Sequence, residues 1–146
     1  MYLGIDGTHI RFEEAPRKIP AHHTTQLYNN RKNYYSLNVM IVANDQRIVF
    51  VDHRWPGSVH DMRVYFRSDI REVVEGQTEY CMVGDSAYSI SETLVKPFSE
   101  AEINNEEDAA TKRRKTLFNK KLCGARTVMS KNIYGTMKRR CPILKT

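Results

Sequence analysis

Two aspartates carry the clearest chemistry in this chain. Asp6 stands in Gly4-Ile5-Asp6-Gly7-Thr8-His9 and Asp85 in Val83-Gly84-Asp85-Ser86-Ala87-Tyr88; each closes a short apolar β-like run beside a glycine. Carboxylates at the ends of two core strands are how a sheet protein holds hard oxygen ligands around a divalent cation for phosphodiester chemistry. A buried carboxylate needs a metal, a cationic side chain or backbone N–H groups as partner. The alternative for each aspartate is a turn residue beside glycine, the commoner fate of Gly-Asp and Asp-Gly pairs. His60-Asp61 follows Pro56-Gly57-Ser58. An aspartate in a first helical turn is sufficiently explained by the helix dipole; the functional alternative for Asp61, with His60 beside it, is an accessory acid or orienting residue near a metal. No Asp or Glu occurs from Lys112 to Thr146, so that segment supplies no third carboxylate.

The elements that must position these residues are legible in outline. Residues 1–12 read as a strand, 13–26, with two prolines and two histidines, as a loop, and 34–43 as a long β-branched and aromatic strand. Asn44-Asp45-Gln46 is a turn signal before a return strand over 47–52. Trp55-Pro56-Gly57-Ser58 is a shaped turn whose Trp packs against the sheet. Ser58 is the expected N-cap of a helix that buries a face of Val59, Met62, Val64, Tyr65 and Phe66. Residues 79–83 form a strand that delivers Asp85, and 93–98 a short final strand. Residues 100–108 read as a loop or helix start. Residues 111–138 read as helical, with Leu117, Phe118, Leu122, Val128, Met129 and Ile133 as buried candidates. The order predicts an α/β fold with a mixed sheet.

A length of 146 residues suits one domain with a hydrophobic core. No apolar run approaches a membrane span, so no membrane partner is expected, and the N-terminus lacks the features of a signal peptide. Cys81, Cys123 and Cys141 are odd in number and widely spaced, which predicts reduced thiols rather than a zinc or disulfide framework. Charge is polarised. Residues 1–111 carry 11 Lys and Arg and all 17 Asp and Glu, a net of −6, whereas residues 112–146 carry 12 Lys and Arg, a net of +12. Lys112, Arg113, Arg114 and Lys115, with Lys138, Arg139 and Arg140, are therefore candidate DNA contacts; a solvated helix face or a nuclear-localisation patch is the bland alternative. Arg31-Lys32-Asn33-Tyr34-Tyr35 could contact phosphate and stack on bases, although tyrosines at a strand start usually pack.

Five blocks in order resemble the nuclease domain of PIF/Harbinger-type transposases and the nucleases derived from them. They are Gly4-Ile5-Asp6-Gly7-Thr8-His9-Ile10, Tyr28-Asn29-Asn30-Arg31-Lys32-Asn33-Tyr34-Tyr35-Ser36-Leu37-Asn38, Trp55-Pro56-Gly57-Ser58-Val59-His60-Asp61-Met62-Arg63-Val64, Gly84-Asp85-Ser86-Ala87-Tyr88 and Tyr134-Gly135-Thr136-Met137-Lys138. The resemblance implies a single DDE domain over 1–146, with an RNase H-like mixed sheet and flanking helices. It implies Asp6 and Asp85 as the first and second catalytic acids and metal ligands, and Mg²⁺ or Mn²⁺ as cofactor. DNA is the implied partner, with a separate Myb/SANT-like companion protein for DNA binding and import, and the nucleus is the implied location (the cytoplasm until import).

The chain departs from that pattern in two places. The third acid of the resemblance maps to Lys131 counted back from Gly135, or to Ser130 counted forward from Arg126, and neither is acidic. The expected metal is therefore weakly bound if at all, and catalysis impaired. The alternative function is a non-catalytic DNA- or protein-binding remnant of a domesticated or decayed transposase. The upstream DNA-reading region usual in such proteins is also absent from this sequence.

Overall fold

The computed structural model describes residues 2–29, 31–77, 79–128 and 132–141. Its centre is a pair of long antiparallel strands. β1 (Tyr2–Arg11) pairs with β3 (Tyr34–Ala43) in an unbroken register from Gly4 opposite Ala43 to Arg11 opposite Ser36, which sets Asp6 opposite Ile41. β4 (Ile48–Pro56) runs antiparallel to β3, and β2 (Tyr28–Asn29) pairs with the start of β3. β5 (Cys81–Val83) lies parallel to β1, and β6 (Leu94–Val95) parallel to β5. The result is a six-stranded mixed sheet in the order β2-β3-β1-β5-β6, with β4 also on β3.

Alternation along the strands assigns the two faces. Leu3, Ile5, Met40 and Val42 point to one face and pack with Val64 and Tyr65 of α2 (Asp61–Phe66), Ile70 and Val74 of α3 (Asp69–Glu75), and Tyr88. Val39, Ile41 and Ile10 point to the other, where Tyr134 and Met137 of α6 (Asn132–Arg140) cover them. Because both faces of β3 are covered, its sequence reads as a nearly continuous apolar run rather than as an alternation. α5 (Ala109–Arg126) reaches the sheet through Leu122, which packs on Val83. Trp55 is half-buried against the first core, as its sequence context predicts.

Several local expectations change. The segment expected to be a loop contains α1 (Ala21–Leu27): Pro20 stands at its N-cap, where a missing N–H costs nothing, and Thr25 bonds back to the Ala21 carbonyl. Trp55 and Pro56 end β4 instead of breaking it, Pro56 sitting at the strand end opposite Leu37. The N-cap of the next helix is His60 rather than Ser58, and the helix stops at Phe66. The Ser68 hydroxyl donates to the Tyr65 carbonyl, and α3 starts afresh at Asp69. Residues 100–108, read as a loop or helix start, do open a helix (α4, Glu100–Asn104), because Ser99 and Glu102 form a reciprocal capping box.

Among the described residues, the C-terminal segment contains the helices α5 and α6. Of its buried candidates, Leu117, Phe118 and Val128 are exposed, Ile133 is half-buried and Leu122 is buried. The reason is compositional: α5 carries lysines and arginines around most of its circumference, so it reaches the sheet by its C-terminal turns, while its middle meets the Phe98 backbone through Asn119. Phe118 instead stacks edge-on against Phe98. Met129, Ser130 and Lys131 lie outside the described residues. Cys81, Cys123 and Cys141 are free thiols. No helix among the described residues is long and apolar enough to cross a membrane.

Candidate active site

Asp6 sits in the middle of β1 and not at a strand end as its sequence context suggested, because pairing with β3 runs unbroken past it to Arg11; it lies on the face it shares with Ile41 and with Tyr134 of α6. Its carboxylate accepts a hydrogen bond from the Gly7 amide at 3.0 Å. Burial, then the neighbouring charge of Asp85, raise its pKa from 3.8 to about 6; Arg126 pulls it down and Asp61 pushes it up again. A desolvated carboxylate facing like charges is an arrangement that a cation relieves. Arg126, at the end of α5, supplies part of that relief.

Asp85 follows β5, whose parallel pairing sets Val83 opposite Gly4, so that Asp85 comes two residues past that pair as Asp6 does on β1. One of its carboxylate oxygens accepts from the Ala87 amide at 2.9 Å, closing a turn that returns Tyr88 to the core. Gly84 is required here by space: a Cβ would fall 2.8 Å from the Tyr88 ring. The turn engages one of the two carboxylate oxygens of Asp85.

Asp61 is placed differently. Its carboxylate rests on the Cα of Gly7, so that a Cβ there would overlap it. Gly7 faces the side of the sheet opposite Asp6, since adjacent strand residues alternate. Asn38, buried on that same side, donates to Asp61 at 2.7 Å and to the Val59 carbonyl at 2.8 Å. Asp61 therefore acts on Asp6 across the thickness of a strand, and His60 beside it is exposed. Among the described residues, no three His, Cys, Asp or Glu side chains form a group that could hold a metal ion.

Beside Asp61 and Asp85 opens a cavity of about 440 Å³ whose lining also includes His9, Asn29 and Arg31. His9 is buried, with Nδ1 3.0 Å from the Ser36 hydroxyl and Nε2 3.4 Å from the Asn29 amide. Burial, then the charge of Lys32, lower its pKa, while the charge of Asp61 pulls it up. Gly57 closes the cavity floor against Ser36, where a side chain would not fit.

Of the candidate DNA contacts, Lys112, Arg113 and Arg114 are exposed on α5. Lys115 is engaged by the Glu106 carboxylate at 2.7 Å and by the Glu102 carbonyl. Lys138, Arg139 and Arg140 fill the last turn of α6, beyond the Tyr134 that docks it on the sheet. Both third-acid positions, Lys131 and Ser130, fall outside the described residues.

Two further residues shape the site. Asn38 was detectable in the sequence as a lone amide inside an apolar run, though its bond to Asp61 depends on where α2 lies. Tyr134 opens the last block of the resemblance, but nothing around it announces its contact: its hydroxyl lies 3.0 Å from the main-chain carbonyl oxygens of both Asp6 and Ile41. The bond to Asp6 joins residues 128 positions apart.

The chain belongs to the DDE superfamily endonucleases, whose family model matches residues 5–146. No curated protein and no solved structure matches it. Membership makes this a transposase- or nuclease-like domain and DNA the substrate its family implies; members of the family generally use divalent metals.

Proposed function

We propose that this chain is a metal-dependent DNA endonuclease or transposase-like domain of PIF/Harbinger type, built on an RNase H-like core and impaired by loss of its third acid. The observation that carries the reading is the coupling of Asp6 to Asp85 across adjacent parallel strands, with Asp6 raised to about 6 by burial and that neighbour. Asp6 and Asp85 are the residues that would hold the cation. Their oxygens fit a hard divalent ion, and two carboxylates fit a weak hold. A bound divalent cation supplies Lewis-acid activation of water and stabilises the leaving oxygen of an attacked phosphate.

The residues of the chain supply the rest. The turn at Ala87 fixes Asp85, the Gly7 amide and the Tyr134 hydroxyl fix β1 around Asp6, and Asn38 fixes Asp61 behind it. The exposed cations of α5 and α6 offer a sequence-independent hold on phosphate. Lys131 and Ser130, at the third-acid position of the resemblance, add no negative charge. Nuclear location and a Myb/SANT-like companion belong to the same reading.

The test is nicking of supercoiled plasmid with Mn²⁺ by the chain, Asp6→Ala and Lys131→Glu. Nicking by Lys131→Glu alone supports the proposal. Nicking by the unaltered chain that Asp6→Ala abolishes keeps the nuclease and removes the impairment. Silence from all three, with DNA binding retained, favours the binding remnant.

A further inference from the structure

The cavity beside Asp85 extends well beyond the aspartates, and its far end is built from different chemistry. Arg31 reaches it from a fixed turn: the Asn29 carboxamide oxygen accepts from the Arg31 and Lys32 amides at 3.1 Å each, and Asn33 closes the turn at φ 56°. A positive φ of this kind is one that Asn tolerates. The guanidinium of Arg31 has no ion pair among the described residues. Asn29 is buried, and it spends one amide hydrogen on His9 and has a second to give. Met62 and Ala87 give the cavity an apolar wall.

A cation, a spare amide donor and an apolar wall, with carboxylates at the other end, match the parts of one nucleotide: phosphate, base edge and base face. A volume of about 440 Å³ lies in the range that small ligands occupy, too small for a duplex and suited to a base taken out of its stack. We propose that this cavity receives one unstacked nucleotide of the DNA strand, beside Asp85 and on the Asp61 side of the sheet. Arg31 holds its phosphate, Asn29 donates to its base edge, and Met62 and Ala87 receive its face. The inference rests on the DNA-directed reading above, and goes beyond it in naming where a base sits.

The test is titration of the ¹⁵N-labelled chain with a single-stranded thymidine tetranucleotide, without divalent cation, followed by NMR. Amides of residues 29–33 and 57–62 should shift. Arg31→Ala should weaken binding about tenfold, the scale of one charge-assisted bond. Ala87→Phe, which changes an exposed wall residue and leaves the core intact, should abolish the shifts in the cavity. Arg47→Ala, an equal loss of charge at the β3–β4 turn, should bind as the parent does. Shifts confined to α5 and α6, or parental affinity in both Arg31→Ala and Ala87→Phe, would overturn the inference. Because no cleavage is read, plasmid nicking without cavity shifts would sink this inference alone, and cavity binding without nicking in any variant would sink only the nuclease reading.

Discussion

The Tyr134 hydroxyl stands 3.0 Å from the backbone carbonyl oxygen of Asp6, and equally close to that of its strand partner Ile41. One side chain of the last helix is thereby anchored to the backbone of the residue that centres the site. Burial holds the phenol well above its usual pKa, so it remains a donor throughout the working pH range.

Tyr134→Phe keeps the ring and removes the donor. Two carbonyls next to the core then share no hydroxyl, and a cost of about 1–2 kcal/mol is expected. Urea denaturation should show it as a lower midpoint with unchanged slope, and amide exchange should speed up in α6 more than in α3.

Asp6 makes stability fall as pH rises. Its folded pKa, about 6, lies above its unfolded value of 3.8, so the folded state holds the proton more tightly. The folded chain is therefore most favoured below the unfolded pKa and loses stability as pH climbs through the folded one, by at most about 3 kcal/mol. Asp6→Asn should be more stable than the parent above pH ~7 by about 1–3 kcal/mol. That advantage should shrink as the medium is acidified. Thermal melts across the range check it; parallel curves for the two proteins would show that Asp6 is not perturbed.

The same repulsion predicts a response to cations that does not depend on turnover. Millimolar Mn²⁺ should raise the Tm of the parent at neutral pH, by mass action on the folded state. Asp6→Asn should lose most of that rise. An equal rise in both proteins would place the ion elsewhere.

Gly7 and Asp61 should be energetically coupled. A Cβ at Gly7 overlaps the Asp61 carboxylate, so Gly7→Ala should cost about 1–3 kcal/mol by overpacking. Asp61→Ala opens the space, and the double variant should be less destabilised than the two single costs added together. Strict additivity would mean that the two residues do not touch in solution.

DNA binding by the basic helices should be steeply salt-dependent and should survive Asp6→Ala. Replacing Arg113 and Arg114 with Gln should flatten the dependence of log affinity on log salt by about one unit for each phosphate no longer neutralised. Replacing Lys115 should matter less, because Glu106 already engages it.

Strand identity was legible in the sequence because β3 and β1 are long and rich in β-branched residues; the bounds read for 34–43 are those of the structure. A helix reaching Phe66 and helical character from residue 111 onward were legible, whereas α3 had no counterpart in the sequence reading. α2 ends where the Ser68 hydroxyl donates to the Tyr65 carbonyl and α3 starts at Asp69, a local feature that periodicity does not show. Asp6 and Asp85 stood out in the sequence because each ends an apolar run beside glycine. The polarised charge and the absence of acid after Lys112 were equally plain.

The tertiary structure alone decided how those residues meet. Parallel pairing of β5 with β1 brings Asp85 into electrostatic reach of Asp6, although strands β2 to β4 and three helices lie between them in sequence. Strand alternation sends Asp61 to the opposite face, where Gly7 and Asn38 hold it. Docking of α5 and α6 brings Arg126 and Tyr134 to the same carboxyl group and its backbone. Composition and local pattern specify which segments become strands and helices, since those depend on neighbouring residues. Which face a side chain occupies, and which distant charge it feels, depend on the pairing of strands far apart in sequence, and local pattern does not encode that pairing.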